Sequence, residues 1–115
     1  IAVRGASVYV QFMARHGRDG TAIRISNVCF TTVVTDTAEA ARGVAESMGG
    51  MFGVSGDVMR RAPLALIGSA EECAAELVRR VEAWDVSEFV FPFTGEDGLR
   101  RLAEQVLPRV RAAAR

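Results

Sequence analysis

The sequence predicts an α/β domain whose strands run parallel and are joined through helices. Three observations predict it. Two segments, Ile23–Thr35 and Glu88–Phe93, are rich in β-branched and aromatic residues, the side chains that a pleated strand favours. Four other segments carry apolar residues at steps of three and four, which keeps those residues on one helical face. The two kinds of segment alternate along the chain, and strands connected through helices imply parallel pairing with right-handed crossovers.

The elements follow in order. Val3, Ala6, Val10, Met13 and Ala14 mark a first helix. Gly17 suits its C-cap, and Arg15 and His16 fall in the last turn against the negative end of the helix dipole. Gly17-Arg18-Asp19-Gly20 is a turn. In Ile23–Thr35 the alternation is imperfect: Ile23 and Ile25 share one phase, Val28 and Phe30 the other. Burial on both faces explains this, as does a bulge near Ser26-Asn27. Asp36 then reads as an N-cap with Glu39 closing a capping box. Ala38, Ala41, Ala45, Met48 and Phe52 carry the helix, which is expected to fray at Gly49-Gly50. With four glycines, Gly49–Gly56 is the most flexible stretch.

Pro63–Ile67 is a short apolar run, either a strand or an extended connector. Ser69 caps the next helix with Glu72 three residues on, and Ala70, Cys73, Ala74, Leu77, Val78, Val81 and Trp84 form its stripe. Pro92 ends the strand Glu88–Phe93. Thr94 caps a last helix with apolar face Leu99, Leu102, Ala103, Val106, Leu107 and Val110, and Pro108 predicts a kink near Leu107. Two strands are too few for a sheet covered on both faces, so strands from another copy or from further chain are expected to complete it.

Composition removes several classes of function. The chain has 115 residues, half of them hydrophobic, which suits one globular domain or part of one. Fourteen basic residues, all arginine, balance fourteen acidic ones, so the basic surplus that marks a nucleic-acid or anionic-membrane partner is missing. No apolar run approaches the roughly 20 residues of a membrane span, and no signal peptide is visible. Cys29 and Cys73 lack metal-ligand spacing and sit in apolar patterns, as buried free thiols of a cytoplasmic protein would.

An ordered series of motifs resembles a known family. Ala14–Asp19, then Val33–Arg42, Leu66–Leu77 with its Ile67-Gly68-Ser69-Ala70-Glu71-Glu72 helix start, the strand Phe89–Phe93, and the helix running to Leu107-Pro108 look like the C-terminal part of the luciferase-like flavin or deazaflavin oxidoreductases. The chain departs from that pattern at Ala70, where the family commonly has proline, and at Trp84-Asp85, where it usually turns on glycine. The resemblance implies an incomplete α/β chain, the C-terminal βα units of a TIM (β/α)8 barrel, whose larger N-terminal part is absent here. It further implies an FMN or F-420-type deazaflavin cofactor, a small organic substrate, hydride transfer or oxygen activation, and a homo-oligomeric parent. The segment Val58–Ser69 leans toward the deazaflavin branch. The 115 residues alone are expected to be inactive. The alternative is a non-enzymatic α/β module that completes its sheet by self-association.

No residue is assigned a catalytic, cofactor-binding or metal-binding role from sequence. His16, the only histidine, reads as a helix-end residue. Glu71-Glu72 and Glu96-Asp97 read as first-turn helix stabilisers. Gly50, Gly53 and Gly56 read as a loop, since no strand precedes them and no Lys-Ser/Thr pair follows. Arg60-Arg61, Arg79-Arg80 and Arg100-Arg101 read as solvated faces. Phe89, Phe91, Phe93 and Trp84 read as core, with stacking on a flat isoalloxazine ring as the other reading. Barrel chemistry sits at the carboxyl ends of strands, which points to Val34-Thr35 and Phe93-Thr94: two hydroxyls and an apolar wall.

Overall fold

A computed structural model of the chain describes residues 15–17 and 24–113. The expected first helix falls on residues 1–14 and lies outside them. Gly17 has the left-handed φ of 75° that a helix-ending glycine adopts.

The long predicted strand is two strands, β1 (Ser26–Val28) and β2 (Thr31–Thr35), separated at Cys29-Phe30. Helix α1 spans Ala38–Phe52 and α2 spans Gly56–Arg61, followed by β3 (Ala65–Ser69). Then come α3 (Ala70–Trp84), β4 (Glu88–Val90), α4 (Gly95–Arg101), a π-helical turn (Leu102–Val106) and α5 (Leu107–Ala113). Both strand pairs are parallel: β1 pairs β4 with Asn27 opposite Phe89, and β2 pairs β3 with Val33 opposite Ile67.

The interruption at Cys29-Phe30 decides the topology. In β1 the odd residues bond β4, as shown by Cys29 N–H donating to the Val90 carbonyl at 2.8 Å. Their side chains face α3, since Arg80 donates to Asn27 Oδ1 at 2.9 Å. In β2 the odd residues again carry the bonds, with Thr31 N–H donating to the Leu64 carbonyl at 3.0 Å. Here, though, odd Val33 packs with Ala45, Met59, Ala65 and Ile67, while even Val34 and Leu66 pack with Cys73, Ala74 and Leu77. For an L-residue in a strand, the face its side chain takes fixes the edge its peptide groups address. The face of the odd residues has reversed, so β3 and β4 lie on opposite edges of the 26–35 segment.

Right-handed crossovers to opposite edges place the connecting helices on opposite faces. That is what the packing shows: α1 and α2 cover one face of the β2–β3 pair, and α3 with the π turn covers the other. Ala65, Leu66 and Ile67 are consequently all buried, which accounts for the unbroken apolar run in the sequence. The described residues thus form three layers, with helices on both faces of the β2–β3 pair.

Several local expectations are corrected. The cap of α1 is Thr37, whose hydroxyl accepts from Ala40 N–H at 3.1 Å; Asp36 instead meets Arg101. The helix does not fray at Gly49-Gly50. It runs on to Phe52 and ends on Gly53 at φ 71°, where glycine carries no Cβ penalty. The flexible stretch contains the start of α2, capped by Ser55. Ser69 and Glu72 form the predicted capping box. Asp85 takes the left-handed C-cap, φ 57°, that glycine fills in the family pattern; a short polar side chain tolerates that region better than most. Thr94 gives α4 no side-chain cap. Pro108 disturbs its helix one turn earlier than Leu107, as the widened turn Leu102–Val106, because a proline removes one N–H and crowds the carbonyl four residues back.

Candidate functional site at the strand ends

In open parallel α/β sheets ligands lie beyond the carboxyl ends of the strands, where the strand order reverses and neighbouring connections leave for opposite faces. Here that place is between the ends of β2 and β4. After β2 come Thr35 and Asp36, and the chain leaves for α1. After β4 come Phe91–Gly95, and the chain leaves for α4 and the opposite face. Both the barrel rule and the open-sheet rule therefore lead to Thr35, Phe93 and Thr94.

Arg101 ties α4 to the end of β2. Its Nη1 donates to the Val34 carbonyl at 3.1 Å and to Asp36 at 2.9 Å, and its Nε lies 3.3 Å from Asp97. On the outer part of α4, Arg100 pairs with Glu96 at 3.3 Å. Thr35 Oγ1 donates to the Thr37 carbonyl at 2.7 Å, and Thr94 Oγ1 to the Phe91 carbonyl at 3.0 Å. Both hydroxyl protons are thus spent locally, and both oxygens keep acceptor capacity.

Phe93 is the anomaly of the site. Phe89 and Phe91 stack at 6.4 Å between ring centroids and pack against the main core, as expected. Phe93 instead is 91% exposed and sits at φ 60°. A left-handed conformation costs a non-glycine residue roughly 1–2 kcal/mol, and Phe93 gains no burial in return.

Sequence reasoning missed a second cluster. Arg80, read as part of a solvated face, is 0% exposed. Its five N–H donors meet five acceptors: Nε reaches Glu76 at 2.8 Å, Nη1 reaches Asn27 and the Pro63 carbonyl at 2.9 and 3.3 Å, and Nη2 reaches the Ala62 and Ala65 carbonyls at 3.1 and 2.6 Å. Asn27 also donates to the Pro63 carbonyl at 2.8 Å. One guanidinium therefore ties α3 to β1 and to the connector entering β3. With every donor used it organises the fold and has none left for a ligand. The signal was in the spacing: Cys73, Leu77, Arg80 and Trp84 recur at steps of four, three and four, so position 80 lies on the buried stripe. Trp84 is buried with the Arg79 and Arg80 guanidinium carbons each 5.3 Å from its ring centre.

The remaining candidates have structural roles. Burial raises the Glu72 carboxyl, but Arg60 at 2.8 Å and the Ser69 N–H at 3.0 Å outweigh it, so the group stays below its ordinary value. Glu71 is exposed in the first turn of α3. Cys29 and Cys73 are buried free thiols; burial pushes Cys73 up to about 12, which leaves it unreactive at neutral pH. His16 is exposed in the turn at Gly17. A cleft of about 350 Å³ between α2 and α3 is lined by Asp57, Arg60, Glu72, Glu76 and Arg79, whose charges largely satisfy one another. Among the described residues no group of three or more His, Cys, Asp or Glu side chains could hold a metal ion. No described helix is long and apolar enough to cross a membrane.

No protein-family model and no curated protein matches the sequence. Among solved structures, the chain is similar to riboflavin lyase (RcaE), determined with modified FMN and the substrate riboflavin. The TM-score is 0.67 at 18% identity, over 98% of this chain and 36% of that one. The likeness is one of fold, and the chain spans about a third of the neighbour's length.

Proposed function

We propose that this chain is part of a flavin-dependent oxidoreductase of the luciferase-like kind, with the carboxyl ends of β2 and β4 facing the flavin. The fold shared with an enzyme that handles both FMN and riboflavin supports this reading, together with the ordered motifs of the sequence. The residues suit the ring of such a cofactor better than its phosphate. The strand ends offer an exposed aromatic ring and two hydroxyl acceptors, while Arg100 and Arg101 are already paired with carboxylates.

The bound flavin or F-420-type deazaflavin would supply hydride transfer or oxygen activation toward a small organic substrate. The chain's own part is to orient the ring through Phe93, Thr35 and Thr94, and to fix α4 against the end of β2 through Arg101. The parent is read as a cytoplasmic homo-oligomer. Titrating the chain with FMN and with the deazaflavin, followed by fluorescence, tests the reading; absence of binding to either refutes it.

The barrel assignment rests on the sequence resemblance. A closed barrel needs one face of β2–β3 free of helices. In a structure of a longer chain, α3 remaining on Val34 and Leu66 excludes the barrel.

A self-associating module is the second reading. Met51, Phe52, Val54 and Val58 are all exposed around the α1–α2 corner, an apolar cluster of the kind that marks an interface. A concentration-dependent dimer broken by Phe52→Asp, in a chain that binds no flavin, favours it.

A further inference from the structure

We propose that Phe93 is a stacking platform, and that the ligand it receives is recognised through an uncharged flat heteroaromatic ring and not through a phosphate. The inference rests on the proposed flavin reading and adds to it the residue and the part of the ligand that carry recognition.

Three independent observations converge on this residue. Its ring is almost wholly exposed although every other aromatic of the adjoining strand is packed inward. Its backbone sits in the left-handed region, φ 60°, two residues before Gly95 at φ 80°. Glycine could occupy the same turn without strain, so the conformation needs no phenyl group; the phenyl group is what the turn presents. Strain of this kind concentrates at ligand clamps and active sites. Finally, the residue stands where the strand order reverses, the place where parallel α/β sheets bind ligands.

The surroundings select the ligand. Thr94, Gly95, Glu96 and Asp97 follow Phe93 directly in the chain, Asp36 is tied to the same helix through Arg101, and the two acids on α4 are exposed along with Asp36. A lone aromatic in a polar rim offers one flat face, enough for a small planar ring and too little apolar area for a protein partner. Three carboxylates face two guanidiniums, and both guanidiniums are engaged by those carboxylates. A phosphate group would meet net negative charge there.

The test titrates riboflavin and FMN into the full chain and reads quenching of flavin fluorescence, for the natural sequence and for Phe93→Ala, Phe93→Tyr and Phe93→Gly. Stacking predicts that riboflavin and FMN bind with similar affinity. Phe93→Tyr should retain it, and Phe93→Ala and Phe93→Gly should weaken both ligands about tenfold. Phe93→Gly should also raise the melting temperature, which separates lost binding from lost folding. If the chain binds both flavins and Phe93→Ala changes neither, the platform is overturned while the flavin reading stands. Binding of FMN alone overturns the ring-only recognition. A chain that binds neither flavin, or whose only response to Phe93→Ala is a change from dimer to monomer in sedimentation, overturns both.

Discussion

Replacing Arg80 is the sharpest test of how this fold is held together. Arg80→Ala removes five donors at once and leaves Asn27, three backbone carbonyls and one Glu76 oxygen without that partner in a water-excluded place. Removing one member of a buried charge pair typically costs about 3–5 kcal/mol. A domain of this size has roughly 5–15 kcal/mol in total, so the variant should be marginal. At ~4 °C per kcal/mol the melting temperature should fall by roughly 12–20 °C. Urea unfolding followed by circular dichroism measures the loss. Arg80→Lys provides the second reading where Arg80→Ala does not fold: an ammonium has three donors and no fork, so it should lose less, about 1–3 kcal/mol. If both variants unfold within ~0.5 kcal/mol of the natural chain, a range usual for surface substitutions, the guanidinium is not the tie described above.

Other expectations are smaller. Asp85→Gly should stabilise by up to about 1 kcal/mol in thermal melts, because φ 57° is left-handed and glycine adopts it freely. Gly68→Ala should destabilise by about 1–3 kcal/mol, since its Cβ would lie 2.9 Å from Glu72 Cβ and 3.4 Å from Cys73 N; slowed expression or a lowered urea midpoint would register it. On acidification, Glu72 and Glu76 should release stability as pH drops below their ordinary value of 4.5, because their arginine partners hold both carboxyls lower in the folded chain, against the upward push of burial. That stability is fully present above 4.5 and disappears as pH falls through the folded values. Glu76→Gln should flatten the acid limb of a pH-stability curve, and an unchanged limb would refute the assignment.

Local chemistry was the most legible part of the sequence. Ser69 with Glu72 gave a capping box because the two side chains satisfy each other's neighbouring N–H groups within four residues. The stripe through Cys73, Leu77 and Trp84 marked the buried face of α3 for the same local reason. The carboxyl ends at Thr35 and Phe93 were legible because parallel connection alone directs attention there. What failed depended on partners distant in the chain. Asp36 looked like a cap, yet Arg101, 65 residues away, claims it. Arg80 looked solvated because its acceptors come from residues 27 and 62–65. The segment Ile23–Thr35 read as one strand because residue type cannot show that its two halves pair with different neighbours.

That divided segment has a consequence for how this chain can change. Each half is locked to its own ladder, and the irregular pair Cys29-Phe30 supplies the one-residue phase shift between them. Deleting Phe30 would restore regular alternation through residues 26–35. Asn27, Cys29 and Val34 would then share the α3 face in one phase, while Thr31 and Val33 would keep the other face in the other phase, so β4 and β3 would each keep their own edge. The extra residue therefore acts as a bulge that neither ladder requires. Side-chain substitutions at Phe30, which is exposed, and its deletion should both leave the two ladders in register, while a single-residue deletion inside β1 or β2 would turn that strand's buried side chains to the wrong face.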